Sequence, residues 1–207
     1  MNRFVKKFTV GPLKTCMYLV EGKFIIDPAG FNAEIKRELE NTGGGPEAIL
    51  LTHAHADHFA GLKELLEIYP GCPVFCHNRA REILADPARN LSGWLGEEYS
   101  YDGARPVSNG KLPGIKTGPE VIYTPGHSPG SISFYWPEEN SLFSGDVVFA
   151  GGVGRTDLPG GDMRTLKETI SEKLFELPGP TRIYPGHGPE TTVEKEKKHN
   201  PCRRGSI

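Results

Sequence analysis

Residues 52–61 read THAHADHFAG, so three histidines and an aspartate fall between His53 and His58. No other stretch constrains the fold as strongly. Imidazoles crowded this way repel one another when protonated and lose hydration when buried neutral. A bound cation removes both penalties, because neutral imidazole nitrogen and carboxylate oxygen are its preferred ligands. The run lies between a short apolar segment, Ala48–Thr52 (AILLT), read as a buried strand, and Phe59–Tyr69, where Leu62, Leu65, Leu66 and Tyr69 recur at helical spacing. In an extended loop, residues two apart project to one side, so His53 and His55 can share an ion. Asp57 and His58, where the chain turns into the helix, can face a second. Asp57 also has an ordinary alternative as a helix N-cap.

Two later segments repeat one design. Residues 121–129 read VIYTPGHSP and residues 183–189 read IYPGHGP. In each a strand meets Pro-Gly, which turns the chain and presents the next residue, His127 or His187, at the sheet edge. A further apolar strand, Leu142-Phe-Ser-Gly-Asp146, ends in a carboxylate. Asp146 reads either as a turn residue or as a carboxylate bridging two ions. The donor count then closes on two ions. His53, His55 and His127 serve one, Asp57, His58 and His187 serve the other, and Asp146 and a water or hydroxide lie between. Such a set leaves open positions, the mark of a catalytic rather than a structural site. Two divalent ions are the implied cofactors, zinc first, with iron or manganese also suited to the donors.

The rest of the chain alternates strand-like and helix-like segments, which predicts a layered α/β domain. Thr15–Val20 and Lys23–Asp27 form a hairpin about Glu21-Gly22. Residues 32–41 read as a helix stopped by Gly43-Gly44-Gly45. Pro73–His77, Glu120–Thr124, Ser131–Trp136, Ser141–Phe143 and Thr181–Tyr184 read as strands, and Arg79–Ala85 and Thr165–Leu177 as helices. Residues 86–118 read as a long surface connection near the site. At 207 residues, with no linker in view, a single domain with a solvated polar tail over 194–207 is expected. Of Cys16, Cys72, Cys76 and Cys202, all are expected as free thiols. Cys76 is expected inside a buried strand rather than in a metal cluster with Cys72 and His77, and Cys202 is expected to be exposed. A net charge of −2 argues against nucleic-acid binding. The N-terminal MNRFVKKFTVGPL lacks a signal-peptide core, and no apolar run approaches the roughly 20 residues of a membrane helix. A cytoplasmic, soluble protein without nucleic-acid or membrane partners is expected, with a homodimer left open.

The order HxHxDH, His127, Asp146, His187 resembles the metallo-β-lactamase fold superfamily. The resemblance implies a four-layer αββα sandwich, two mixed sheets face to face with helices outside and the metal site at one edge. It assigns the same seven ligands. Asp146 argues against a true β-lactamase. The run from Gly151 to Asp162, GGVGRTDLPGGD, is similar to the loop that follows the bridging aspartate in short bacterial glyoxalase II (hydroxyacylglutathione hydrolase) and in persulfide dioxygenases. Arg155, Asp157 and Asp162 read either as an ion-pair network holding this loop or, for Arg155, as a substrate contact. Thr156-Asp157 stand where glyoxalase II carries aromatic residues, which bears on glutathione recognition.

Three functions follow. The favoured one is a glyoxalase II-like metallo-hydrolase acting on a thioester or ester, glutathione-linked ones included. In it a bridging water whose pKa falls toward ~7 supplies hydroxide, and Asp57 orients the nucleophile or carries its proton. The alternative is a mononuclear iron persulfide dioxygenase using His53, His127 and Asp146. The third is a metal-binding scaffold without turnover.

Overall fold

The structure, a computed structural model, describes residues 4–202. One sheet runs, in spatial order, β1 (Val5–Val10), β2 (Thr15–Val20), β3 (Phe24–Ile26), β4 (Ala48–Leu50), β5 (Val74–His77) and β6 (Arg105–Val107). The first three strands are antiparallel; from β3 to β6 the pairing is parallel. Parallel pairing needs crossovers. These are α1 (Ala33–Asn41), α2 (Leu62–Ile68), and the short α3 (Arg81–Leu84) and α4 (Pro87–Asn90).

The second sheet contains β7 (Gly110–Lys111), β8 (Glu120–Tyr123), β9 (Ile132–Trp136) and β10 (Ser141–Gly145) as an antiparallel run. The chain then makes a small hairpin, β11 (Val148–Phe149) with β12 (Gly152–Val153). It crosses over through α5 (Met163–Thr169) and a π-helical turn, Ile170–Leu174. It returns as β13 (Arg182–Pro185), parallel to β10, with β14 (Thr191–Thr192) outside it and α6 (Val193–His199) following.

Strand alternation sorts side chains into layers. In β2, Cys16, Tyr18 and Val20 point between the sheets, while Met17 and Leu19 point to the face covered by α1 and α2. In β4, Ala48 and Leu50 go inward and Ile49 goes outward to the same helices. On the other sheet, Phe134, Phe143 and Tyr184 meet Tyr18 and Phe24, while Leu142 and Ile183 lie under α5 and α6. Every core strand thus buries both faces, which is why AILLT carries no polar alternation. The result is the αββα sandwich.

The Glu21-Gly22 turn has both residues at positive φ, 55° and 68°, the geometry that matches strand twist in a tight hairpin. Asn32 caps α1, its side chain accepting from the amides of Glu34 and Ile35. Strand β1 escaped the sequence reading because VKKFTV lacks alternation; its lysines suit an edge strand. Residues 86–118 are more than a connection: they hold α4, a 3₁₀ turn at Ser92–Leu95, β6 and β7.

Two expectations are corrected. The tail expected to be solvated from residue 194 folds as α6, because Glu196 faces inward. Its carboxylate accepts from the Thr191 hydroxyl (2.6 Å), the Gly151 amide (2.9 Å) and the Asn200 side chain (2.8 Å). Cys202 is buried, 2% exposed, against the outer face of the second sheet; residues 203–207 lie outside the described ones. All four cysteines are free thiols, and Cys76 packs in the core. Among the described residues no helix is long and apolar enough to cross a membrane.

Candidate metal centre

The loops after β4, β8, β10 and β13 converge on one end of the sandwich. They carry His53 to His58, His127, Asp146 and His187 respectively. The sheets are stitched there by backbone hydrogen bonds, Ile132 N to Thr52 O (2.8 Å) and Cys16 N to Gly186 O (2.7 Å), while Gly186 N to Gly145 O (2.8 Å) ties the ends of β13 and β10 within the second sheet. All seven residues singled out as ligands meet. Their donor atoms form three overlapping groups, His53–His55–His127, His53–His58–Asp146 and Asp57–His58–His187, each with its atoms within 4.8 Å of one another. Asp146 lies between the outer two. Its Oδ1 is 3.3 Å from His58 Nε2, and its Oδ2 is 3.5 Å from His187 Nε2 and 3.9 Å from His127 Nε2. Asp57 Oδ2 lies 3.5 Å from His58 Nε2 and 3.4 Å from His187 Nε2. Asp57 is no helix cap; it sits inside the 3₁₀ turn Ala56–His58 and accepts from the Thr15 hydroxyl at 2.8 Å.

Four of the five imidazoles, all but His55, are aimed by their other nitrogen. His127 Nδ1 donates to Arg155 O (2.8 Å) and His187 Nδ1 to Leu13 O (3.2 Å). His58 Nδ1 donates to Asp27 Oδ2 (2.8 Å). His53 Nδ1 donates to Thr52 Oγ1 (3.1 Å), which donates in turn to Asp27 Oδ2 (2.6 Å), while Thr52 N donates to Asp27 Oδ1 (2.8 Å). Asp27 therefore orients two candidate ligands at once, the usual office of a carboxylate behind metal-binding histidines. The sequence reading missed it. The signal was there: an aspartate closing an apolar strand, FIID, as Asp146 closes LFSG.

With these bonds made, the inward atoms His53 Nε2, His58 Nε2 and Asp146 Oδ1 are buried without a hydrogen-bond partner. His58 Nε2 and Asp146 Oδ1, though close, are not aligned to bond. Buried polar atoms are seldom left so. Three of them converging on one point fit a cation, and the all-nitrogen and carboxylate donor set fits a divalent one.

Electrostatics divide the site. Burial, then the neighbouring imidazoles, hold His53 well below the usual histidine range and His55 down to about 3. Burial also lowers His127. These are neutral nitrogen donors. On the other side burial opposes charge but is outweighed. Asp57, Asp146 and Asp27 push His58 well above its usual range, and hydrogen bonds to Asp146 and Asp57 raise His187 to about 10. Against burial, His58 and His187 hold Asp57 down to about 2 and Asp146 well below the carboxylate range.

Arg155 lines the cavity beside the cluster. Its Nε and Nη2 donate to Asp157 at 2.8 and 2.7 Å. Asp162 takes no part in that pair; it caps α5 by accepting from Thr165 N (2.7 Å).

A sequence profile described as metallo-beta-lactamase superfamily matches residues 10–187. "Probable metallo-hydrolase YqgX" of Bacillus subtilis is 41% identical, covering 97% of each chain. "Hydroxyacylglutathione hydrolase GloC" of Haemophilus influenzae is 34% identical over 86% of this chain and 85% of its own. Among solved structures, "BLEG-1 B3 metallo-beta-lactamase" is 39% identical with a TM-score of 0.89, covering 97% of this chain and 100% of that one. "TTHA1623 in a di-iron-bound form" is 38% identical with a TM-score of 0.85, covering 95% and 99%. With this profile spanning the converging loops, the chain belongs to the metallo-beta-lactamase superfamily, and its relatives include proteins named as probable metallo-hydrolases.

Proposed function

We propose that the protein hydrolyses a thioester or ester, as a hydroxyacylglutathione hydrolase of the glyoxalase II type. On this reading two divalent ions are held by His53, His55 and His127 and by Asp57, His58 and His187, with Asp146 between them. The observation that carries the reading is the trio of buried, unpartnered donor atoms at the centre of seven converging ligands. The ions supply Lewis acidity and hydroxide at neutral pH, and zinc, iron and manganese all suit the donors. The chain supplies the rest. Asp27 locks the rings of His58 and, through Thr52, His53, so the donors need no reorganisation on loading. Asp57, fixed by Thr15, presents a carboxylate at the cavity floor to orient the attacking water or carry its proton. Arg155 stands at the rim to meet a carboxylate on the leaving thiol.

The complete Asp57–His58–His187 group favours two ions over the single iron of a persulfide dioxygenase. The relative named as a hydroxyacylglutathione hydrolase supports the substrate class. The neighbour named as a B3 metallo-beta-lactamase weakens the argument from Asp146 against lactams and makes a cyclic amide the second carbonyl to assay. The deciding test is thiol release from S-D-lactoylglutathione, with metal content measured on the same sample. Release that scales with two ions per chain supports the reading. No release from protein carrying a single iron overturns it in favour of oxygen uptake with a persulfide.

A further inference from the structure

The cluster forms the floor of a cavity of about 350 Å³, at the small end of ligand sites. The walls above that polar floor are apolar: Leu13, Leu91, Trp94, Leu95, Phe149 and Leu158. Trp94 is 71% exposed and Leu13 55% exposed. Four large hydrophobic side chains are exposed among the described residues, and these two face the same opening.

Trp94 is held in this position. It lies in the 3₁₀ turn Ser92–Leu95, between Leu91 and Gly96, both at positive φ (67° and 85°). Asn90 anchors the turn from within. Its amide donates to Leu84 O (3.3 Å) and Tyr99 O (2.7 Å), and its carbonyl oxygen accepts from Ser92 N (2.9 Å). A fully bonded buried asparagine and a left-handed leucine are costly ways to hold an indole in water. Of the polar wall residues, Asn90 is therefore committed, and Arg155 is turned toward Asp157. The wall on the Trp94 side is chiefly apolar contact area.

We propose that Trp94, Leu13 and their neighbours form an acyl-binding subsite, so that the enzyme prefers thioesters or esters with an apolar alkyl or aryl acyl group. This rests on the hydrolase reading above and extends it beyond hydroxyacyl conjugates. In the reaction the water oxygen bonds to the acyl carbon and the carbon–sulfur (or ester carbon–oxygen) bond breaks. The electron pair leaves with sulfur or oxygen, which takes up a proton, giving a carboxylate and a thiol or alcohol with release of the carboxylic proton. The apolar tail stays against Trp94 throughout.

The test uses metal-loaded protein and glutathione thioesters that differ only in the acyl group: acetyl, butyryl and hexanoyl. The expected result is a rise in kcat/KM of about fourfold per buried methylene until the cavity is filled. Trp94→Ala flattens that rise, mainly through KM, and Trp94→Phe restores most of it. A second readout needs no turnover. The other tryptophan, Trp136, is 5% exposed and serves as a fixed background, so hexanoate binding shifts Trp94 emission while acetate does not, and Trp94→Phe abolishes the shift. Hydrolysis without chain-length dependence overturns the subsite and leaves the hydrolase reading standing. No hydrolysis of any thioester, with hexanoate still shifting Trp94, overturns the hydrolase reading and keeps an apolar carboxylate site. Neither turnover nor shift overturns both.

Discussion

Pro125-Gly126-His127 and Pro185-Gly186-His187 place the same three residues after a strand, yet their glycines answer to different neighbours. Gly126 has φ +130°, and a side chain there would overlap the backbone of Leu166 in α5. Gly186 lies outside that region of φ, but a side chain would run into the Asp146 carboxylate and the His58 ring. The first glycine lets a helix approach the sheet; the second lets Asp146 and His58, two of the candidate ligands, approach one another. A shared motif therefore locates where a histidine is presented, while the packing around it decides whether its glycine serves the fold or the site.

The largest expected effect falls on what the turns share. His127→Ala and His187→Ala should each lower turnover by more than about 10²-fold, beyond the 10–100-fold typical of losing an outer partner. Turnover and metal content of reconstituted protein check this; near-normal turnover in either variant would remove that histidine from the ligand set. The glycines should then separate the turns. Gly126→Ala should cost about 2–4 kcal/mol of stability, by strain and overlap, read in a denaturant titration. Gly186→Ala should instead lower metal affinity and turnover, with a smaller change in stability. Equal losses of stability in the two variants would break the comparison.

Asp27→Asn touches neither turn but loosens His58 and Thr52. It should weaken metal binding by about 10–100-fold, measured by competition with a chelator, while the His127 side is left aligned by the Arg155 carbonyl. The smallest effect should come from Asp157→Ala. Its pair with Arg155 is solvent-exposed and worth little to stability, and His127 is held by the Arg155 backbone rather than its side chain. Tm and metal content should stay as in the wild type; a fall in metal content would mean that the pair shapes the loop.

The layers and all seven converging residues were legible in the sequence because each rests on local order: an apolar run, a Pro-Gly turn, a histidine spacing. What escaped depends on distant partners. VKKFTV becomes a strand only against β2. EKEKKH reads as solvated until Glu196 finds Thr191 and Gly151. Trp94 and Leu13 reach one cavity only through the fold, and neither segment carries a periodic signal. Asp27 lies between these cases, since its position at a strand end was readable and its two histidine-side partners were not.

The contact of His187 with Leu13, 174 residues apart, and the bridge from Thr15 to His187 also bear on how the protein folds. Closing so long a loop is entropically costly and typically comes late. The His53–His58 loop depends on neighbouring strands, whereas the second half of the site waits for β13 to return to β2. On the two-ion reading, the completed centre is thus a clock for completed folding: during refolding, uptake of the second ion should lag behind recovery of secondary structure.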